Sequence, residues 1–113
     1  MDSTQILVVE DDSTFADIVQ FQLSTVGFLS HNILSVQSLS EAREAEIEFI
    51  PDVILLDLNI LDSNGITTYD SIVSIFPKAS VIVLSGMDDR SLALQIVAKG
   101  AQDYILKSDI KPD

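Results

Sequence analysis

Three short segments of the chain are continuously apolar, and the intervals between the segments show helical periodicity. The apolar segments are residues 6–9, 53–56 and 81–84, and each is rich in β-branched side chains. Continuous apolar strands are typical of parallel strands that helices cover on both faces. Two weaker strands are predicted at residues 29–34 and 104–106.

The intervals between the five predicted strands each contain an apolar stripe at helical spacing. These stripes run from Phe15 to Val26, from Ala42 to Phe49, from Ile66 to Phe76 and from Leu92 to Val97. Asp12 or Ser13 can cap the first helix, and Gly27, Pro77 and Gly100 stop the first, third and fourth helices. Alternation of strand and helix predicts an α/β fold, a doubly wound five-stranded parallel sheet in the order 2-1-3-4-5.

Composition limits the classes of function that fit this fold. The 113 residues suit one domain, and 47% of them are hydrophobic, which is enough for a core. With 6 basic and 18 acidic residues the net charge is −12, so direct binding to nucleic acid or to an anionic membrane surface is not expected. The chain has no cysteine and no apolar run of membrane-spanning length, and a cytoplasmic location is the expectation.

Polar residues follow the predicted strands at the carboxyl edge of the sheet, where ligands bind in folds of this type. They are Glu10 and Asp11 after the first strand, Asp57 after the third, Ser85 after the fourth and Lys107 after the fifth. An all-oxygen cluster of carboxylates suits a hard ion such as Mg²⁺ or Mn²⁺. Carboxylate, metal, lysine and hydroxyl together predict a site for phosphoryl transfer to a carboxylate.

Each of these residues also has an ordinary structural interpretation. Asp12 is best read as a helix cap, Asp57 alone as a turn residue, Ser85 as a cap and a strand-end lysine as a solvated charge. The functional hypothesis depends on all of the elements ending at the same edge of one sheet.

The chain resembles the receiver domain of two-component response regulators from residue 5 to residue 108. The motifs are ILVVED at 6–11, LLD at 55–57 with a glycine at 65, VLSG at 83–86 and GAQDYILK at 100–107. The resemblance implies a signalling switch, not an enzyme in the usual sense, that catalyses only its own phosphorylation and dephosphorylation. The implied phosphoryl donor is a histidine kinase or a histidine phosphotransfer protein.

The resemblance also implies a role for each matching residue. Asp57 would be the phosphoacceptor, and Asp11, Asp57 and the backbone carbonyl of Asn59 would bind Mg²⁺ directly. Glu10 would act on the metal through a water molecule. Lys107 and Ser85 would contact the phosphoryl group, and Ser85 with Tyr104 would form the conformational switch.

Three positions depart from the usual pattern of the family. Leu61 stands where proline is frequent, and Glu10 replaces the commoner aspartate. Ser108 follows Lys107 where the family usually has a proline after a cis bond, and a cis bond before another residue costs about 2.5–4 kcal/mol. The peptide geometry after Lys107 is therefore an open question at this point.

Three other functions would each require a different set of residues. A Mg²⁺-dependent phosphatase with an aspartyl nucleophile needs a second acid, and Asn59 stands at that position. A receiver-like module that is not phosphorylated would lack an acid, Asp57 or Lys107, and all are present. A flavin carrier would have a hydroxyl-rich phosphate loop after the first strand, which this chain does not have.

The last expectation concerns the segment that follows the fifth strand. Receiver domains resemble one another in having a fifth helix there, but only six residues follow Lys107. We therefore expect residues 1–113 to be a receiver domain whose fifth helix is truncated, with any effector domain beyond it. The face without that helix would be sticky or covered by a second copy of the chain in a homodimer.

Overall fold

Five parallel strands form the main sheet in a computed structural model that describes residues 3–111. The strands are β1 (Ile6–Val9), β2 (Ile33–Val36), β3 (Val53–Asp57), β4 (Ser80–Ser85) and β5 (Asp103–Leu106). Their order is β2-β1-β3-β4-β5, as the sequence predicts. In register, Val9 lies beside Leu56, and Ser85 lies beside Leu106, so the carboxyl ends of the strands meet at one edge.

Four helices connect the strands. They are α1 (Ser13–Thr25), α2 (Leu39–Ala45), α3 (Ile66–Ile75) and α4 (Arg90–Lys99). The side chain of Asp12 caps α1, because its Oδ1 accepts hydrogen bonds from the backbone N–H groups of Thr14 and Phe15. Within the described residues, none of the helices has the length and apolar character needed to span a bilayer.

The sheet has a hydrophobic core on each face, because side chains alternate between the faces along each strand. One face carries α2, α3 and α4, and its core includes Leu7, Ile54, Leu56, Ile72, Val83 and Ile96, all of them fully buried. The other face carries α1, and its smaller core includes Ile6, Val8, Val19, Ile33, Leu55 and Leu84. The sheet is therefore covered on both faces but unequally.

The α1 face is less covered toward β4 and β5. Ile82 and Ile105 are half-buried there, and Ile110 packs against the same cluster. Within residues 3–111, the segment after β5 forms a single 3₁₀ turn, Lys107–Asp109, and contains no α-helix. The truncation of a fifth helix on this face, and the exposed strip it would leave, stay predictions.

Two predicted boundaries are wrong. The second strand is β2 at Ile33–Val36 rather than residues 29–34, because Leu29 accepts a hydrogen bond from Asn32 in a turn and pairing with β1 begins at Ile33. The second helix ends at Ala45 and does not reach Phe49, which packs against the core from the following turns. In both cases the apolar pattern continues through a turn, so the predicted element extends past the true boundary.

A short antiparallel hairpin connects β3 to α3. Residues Asn59–Ile60 pair with Ser63–Asn64, and this hairpin loop, residues 59–64, has Leu61 and Asp62 at its tip. Its base is held by Thr68, whose hydroxyl donates to the carbonyl of Leu58 at 2.9 Å and lies 2.7 Å from the Ser63 hydroxyl. The loop is thus an ordered hairpin that follows the carboxyl end of β3.

Candidate functional site

A buried carboxylate follows each of the two central strands at the carboxyl edge of the sheet. Glu10, directly after β1, has no solvent exposure, and Asp57, the last residue of β3, is 6% exposed. Asp11 is half-buried beside them. Because β1 and β3 are adjacent and parallel, their register fixes these side chains next to one another. The structure therefore brings together the acids that the sequence placed at this edge.

Lys107 enters the same cluster from the end of β5. Its Nζ lies 2.7 Å from Oε1 of Glu10 and 2.8 Å from Oδ2 of Asp57. The same ammonium lies 5.0 Å from the centre of the Phe15 ring on α1, a cation–π contact. One cation is thus held between two buried carboxylates, with an aromatic face beside it.

The remaining oxygens of these two carboxylates are held by backbone groups. The N–H of Asn59 donates to Oδ1 of Asp57 at 3.0 Å, and the N–H of Asp12 donates to Oε2 of Glu10 at 3.2 Å. Charged acceptors of this kind form stronger hydrogen bonds than neutral ones. The orientation of both carboxylates is therefore fixed by loops that leave the strands and not only by Lys107.

Burial changes the protonation of the cluster. Burial, and then the neighbouring Asp57, raise the pKa of Glu10 from 4.5 to about 7, against the opposing effect of Lys107. For Lys107, burial acts to lower the pKa, but the hydrogen bonds to Asp57 and Glu10 outweigh it and the pKa is raised. Lys107 is therefore charged at neutral pH, whereas Glu10 is close to its titration point.

Glu10, Asp11 and Asp57 can together hold a metal ion. One carboxylate oxygen from each residue lies within 4.8 Å of the others. Three carboxylates and one ammonium leave a formal charge of −2 when all are ionised, and oxygen donors are those that Mg²⁺ and Mn²⁺ prefer. The donor set therefore fits the divalent ion that the sequence predicts.

Ser85 and Tyr104 lie on the adjacent strands β4 and β5. Ser85 is 1% exposed, and its hydroxyl donates to the carbonyl of Gly86 at 2.9 Å. The half-buried ring of Tyr104 packs against the larger core, and its hydroxyl accepts a hydrogen bond from Nε of Arg90 at 3.2 Å. The serine is thus at the edge of the site, while the tyrosine hydroxyl is held by the first turn of α4.

Two of the three unusual positions, Leu61 and the bond after Lys107, have a defined structural setting. Leu61 is 69% exposed at the tip of the hairpin loop, so a leucine here meets no packing restriction. Residues 3–111 contain no cis peptide bond, so the bond between Lys107 and Ser108 is trans. The open question about this bond is thereby answered, and the trans bond still places Lys107 on Asp57.

Sequence reasoning missed four contacts around the site. Phe15 lies under Lys107, and Arg90 binds Tyr104. Nδ2 of Asn59 lies 3.4 Å from Oδ2 of Asp89, and Asp62 binds the start of α2. All four join segments that are distant in sequence, so no spacing along the chain signals them.

Comparison with known proteins agrees with this geometry. The family model for the response regulator receiver domain matches residues 6–112. The chain belongs to this family. It is 29% identical over 106 residues to the transcriptional regulatory protein ZraR of Escherichia coli and 31% identical over 104 residues to the transcriptional regulatory protein KdpE of Mycobacterium tuberculosis. The chain is thus a receiver domain of the two-component type.

The relatives are longer than this chain. The matches cover 94% and 92% of the chain but 23% of ZraR and 44% of KdpE. Among solved structures, the receiver domain of NtrX from Brucella abortus superposes with a TM-score of 0.79 at 28% identity, over 91% of this chain and 85% of that one. A receiver domain from Bacteroides fragilis gives a TM-score of 0.81 at 24% identity over 93% and 84%, which supports the fold alone.

Proposed function

We propose that Asp57 accepts a phosphoryl group from a phosphohistidine. A carboxylate oxygen attacks phosphorus, the P–N bond breaks, and its electron pair stays on the imidazole nitrogen. The observation that supports this most is the position of Lys107, whose Nζ lies 2.8 Å from Oδ2 of Asp57. A cation fixed there neutralises charge on the phosphoryl oxygens without reorganisation.

Mg²⁺ or Mn²⁺ is the proposed cofactor. Asp11, Asp57 and the backbone carbonyl of Asn59 would hold the ion directly, and Glu10 would hold it through a water molecule. The ion would supply additional neutralisation of the phosphoryl oxygens. The grouping of carboxylate oxygens from Glu10, Asp11 and Asp57 within 4.8 Å supports this assignment. In the absence of the ion, Lys107 pairs with Asp57 and orients its carboxylate.

Ser85 and Tyr104 form the proposed switch. The hydroxyl of Ser85 turns from the carbonyl of Gly86 to a phosphoryl oxygen on Asp57, and Tyr104 changes rotamer in response. Burial of Ser85 at the end of β4, one strand from Asp57, supports this role. The tyrosine response is a shift between two populations and not an all-or-none change.

The proposed partners follow from the reaction and from the relatives. The donor is a histidine kinase or a histidine phosphotransfer protein. The longer relatives are named as transcriptional regulators, so an effector domain or a separate output partner would receive the signal. The domain catalyses only its own phosphorylation and dephosphorylation, in the cytoplasm. A homodimer through the α1 face stays a prediction.

Intact-mass measurement tests this function. The chain is treated with a small acyl phosphate and Mg²⁺, and we expect a gain of one phosphoryl group in the wild type and none in Asp57→Ala. Asp17→Asn is the matched control, because Asp17 is exposed on α1 and its side chain forms no hydrogen bond or ion pair in the described residues. A phosphorylated Asp57→Ala variant, or a wild type without a mass gain, would contradict the proposal.

A further inference from the structure

Asp62, at the tip of the hairpin loop, binds the first turn of α2. Its Oδ1 accepts a hydrogen bond from the N–H of Leu39 at 2.8 Å, and its Oδ2 accepts one from the N–H of Ser40 at 3.1 Å. These are the first two N–H groups of α2, which have no partner within the helix. The hydrogen bond from Leu39, followed by the one from Ser40, lowers the pKa of Asp62 against the opposing effect of burial.

The contact is more than a helix cap, because α2 already has a local one. The hydroxyl of Ser38 accepts a hydrogen bond from the N–H of Glu41 at 3.0 Å, and the Glu41 carboxylate accepts one from Gln37 at 2.9 Å. Asp62 differs from these residues since it comes from the loop that leaves β3, 23 positions after Leu39. It therefore links two segments that are far apart along the chain.

The other end of the hairpin loop is the phosphoacceptor site. Asn59, the first residue of the loop, donates its N–H to Oδ1 of Asp57 at 3.0 Å. The strand pairing of Asn59 with Asn64, the bond from Thr68 and the burial of Ile60 hold the base of the loop. Within residues 3–111 the side-chain contact that fixes the tip is the one made by Asp62.

We propose that Asp62 is a positioning residue that couples the Asp57 site to α2 through the hairpin loop. This inference rests on the proposed function, in which the carbonyl of Asn59 binds the metal. An ion that fixes Asn59 orders the loop and strengthens the contact of Asp62 with α2. By thermodynamic linkage, loss of the Asp62 contact weakens metal binding by the same factor.

Four variants of the full chain test the coupling. Asp62→Ala removes the link, and Ser38→Ala removes the local cap of α2 but leaves the link. Glu44→Gln is the matched charge control, because Glu44 is exposed on α2 and its side chain forms no hydrogen bond or ion pair in the described residues. The measurements are Mg²⁺ affinity by titration and amide hydrogen exchange of Leu39 and Ser40 with and without Mg²⁺.

In the wild type we expect Mg²⁺ to slow exchange at Leu39 and Ser40. In Asp62→Ala the two amides exchange quickly with or without Mg²⁺, and the Kd for Mg²⁺ rises about tenfold, a size typical of coupling between two linked sites. Asp62→Asn keeps one acceptor oxygen and gives an intermediate Kd. Ser38→Ala and Glu44→Gln keep the wild-type Kd within about twofold.

Two results would overturn the coupling. One is a wild-type Kd in an Asp62→Ala variant that is folded by circular dichroism. The other is an equal loss of affinity in Ser38→Ala, because stability of α2 alone would then explain the effect. A wild type that neither binds Mg²⁺ nor gains a phosphoryl group would overturn the proposed function, and this inference with it. If Asp62→Ala does not fold, the Kd of Asp62→Asn for Mg²⁺ and the effect of Mg²⁺ on wild-type exchange at Leu39 and Ser40 test the coupling instead.

Discussion

The Nζ of Lys107 lies 2.7 Å from Oε1 of Glu10, a carboxylate that has no contact with solvent. The pKa of Glu10 is nevertheless raised to about 7, because burial outweighs the nearby cation. Between about pH 4.5 and pH 7 the folded protein therefore holds a proton that the unfolded chain has lost. Folding stability without metal must fall as the pH rises through this range.

We expect the free energy of unfolding, without Mg²⁺, to decrease by up to about 3 kcal/mol from this group between pH 4.5 and pH 8. Glu10→Gln removes the titration, so this part of the pH dependence should disappear. Denaturant unfolding of both proteins at several pH values measures it. Equal slopes for the two proteins would show that Glu10 does not titrate in this range.

The affinity for Mg²⁺ should rise with pH, whereas the folding stability without metal falls. Because a metal ion favours ionised carboxylates, its binding should release a proton from Glu10. We expect the Kd for Mg²⁺ to fall as the pH rises from 6 to 8, and Glu10→Gln to flatten this dependence. Isothermal titration in buffers of different ionisation enthalpy counts the released proton. Absence of proton release at pH 6.5 would contradict the prediction.

Mg²⁺ should stabilise the fold because it neutralises Glu10, Asp11 and Asp57 together. At ten times its Kd, an ion that binds only the folded state adds about 1.4 kcal/mol to the free energy of unfolding. Asp11→Asn and Asp57→Asn should reduce this gain, whereas the exposed Asp17→Asn control should keep it. Thermal melts over a Mg²⁺ series test this, and a constant midpoint in the wild type would argue against the metal site.

Lys107→Ala should uncouple metal binding from the phosphorylation response. Without Mg²⁺ it leaves two buried carboxylates unpaired, and we expect a loss of about 1–3 kcal/mol of stability. Mg²⁺ should still bind, because no ligand is removed, and should recover part of the loss. The control is Lys78→Ala, since Lys78 is exposed and forms no ion pair in the described residues. Normal phosphorylation and a normal conformational response in this variant would show that Lys107 does not have the proposed role.

Arg90→Ala should shift the rotamer of Tyr104 even without phosphate. Nε of Arg90 donates to the tyrosine hydroxyl at 3.2 Å, and one such hydrogen bond is worth about 0.5–1.5 kcal/mol, a several-fold change in population. Ring chemical shifts of Tyr104 measure the rotamers before and after phosphorylation. Arg43→Ala, an exposed arginine on α2, is the control. Identical ring shifts in wild type and Arg90→Ala would exclude this restraint.

Those parts of the fold that depend on local pattern were predictable from the sequence. β1, β3 and β4 are continuous apolar runs because helices cover the sheet on both faces. The observed strands extend the predicted β3 by one residue and the predicted β4 by two. β2 was displaced because Ser30 to Asn32 form a turn that interrupts an otherwise apolar stretch. Register with a four-residue β1, and not propensity, decides where β2 begins.

The site itself was predictable because topology brings strand ends together. Glu10, Asp57 and Lys107 meet once the strand order is known, since the carboxyl ends of parallel strands share one edge. The capping of α2 by Asp62 was not predictable, because the two segments are 23 positions apart and Ser38 already supplied a local cap. Contacts of this kind depend on where a loop tip falls in space.

The excess of negative charge has a consequence for encounters with the proposed phosphoryl donors. In the described residues only Lys99 and Lys107 form ion pairs, so most carboxylates of a chain with net charge −12 project their field into solvent. That field extends about 30 Å at 0.01 M salt and about 8 Å at 0.15 M. A small anionic donor is repelled over this range, so its reaction rate rises when salt screens the field. A donor protein with a basic docking face is attracted, so its association rate falls when salt is added. Ionic strength thus separates the two kinds of donor before either reaches Asp57.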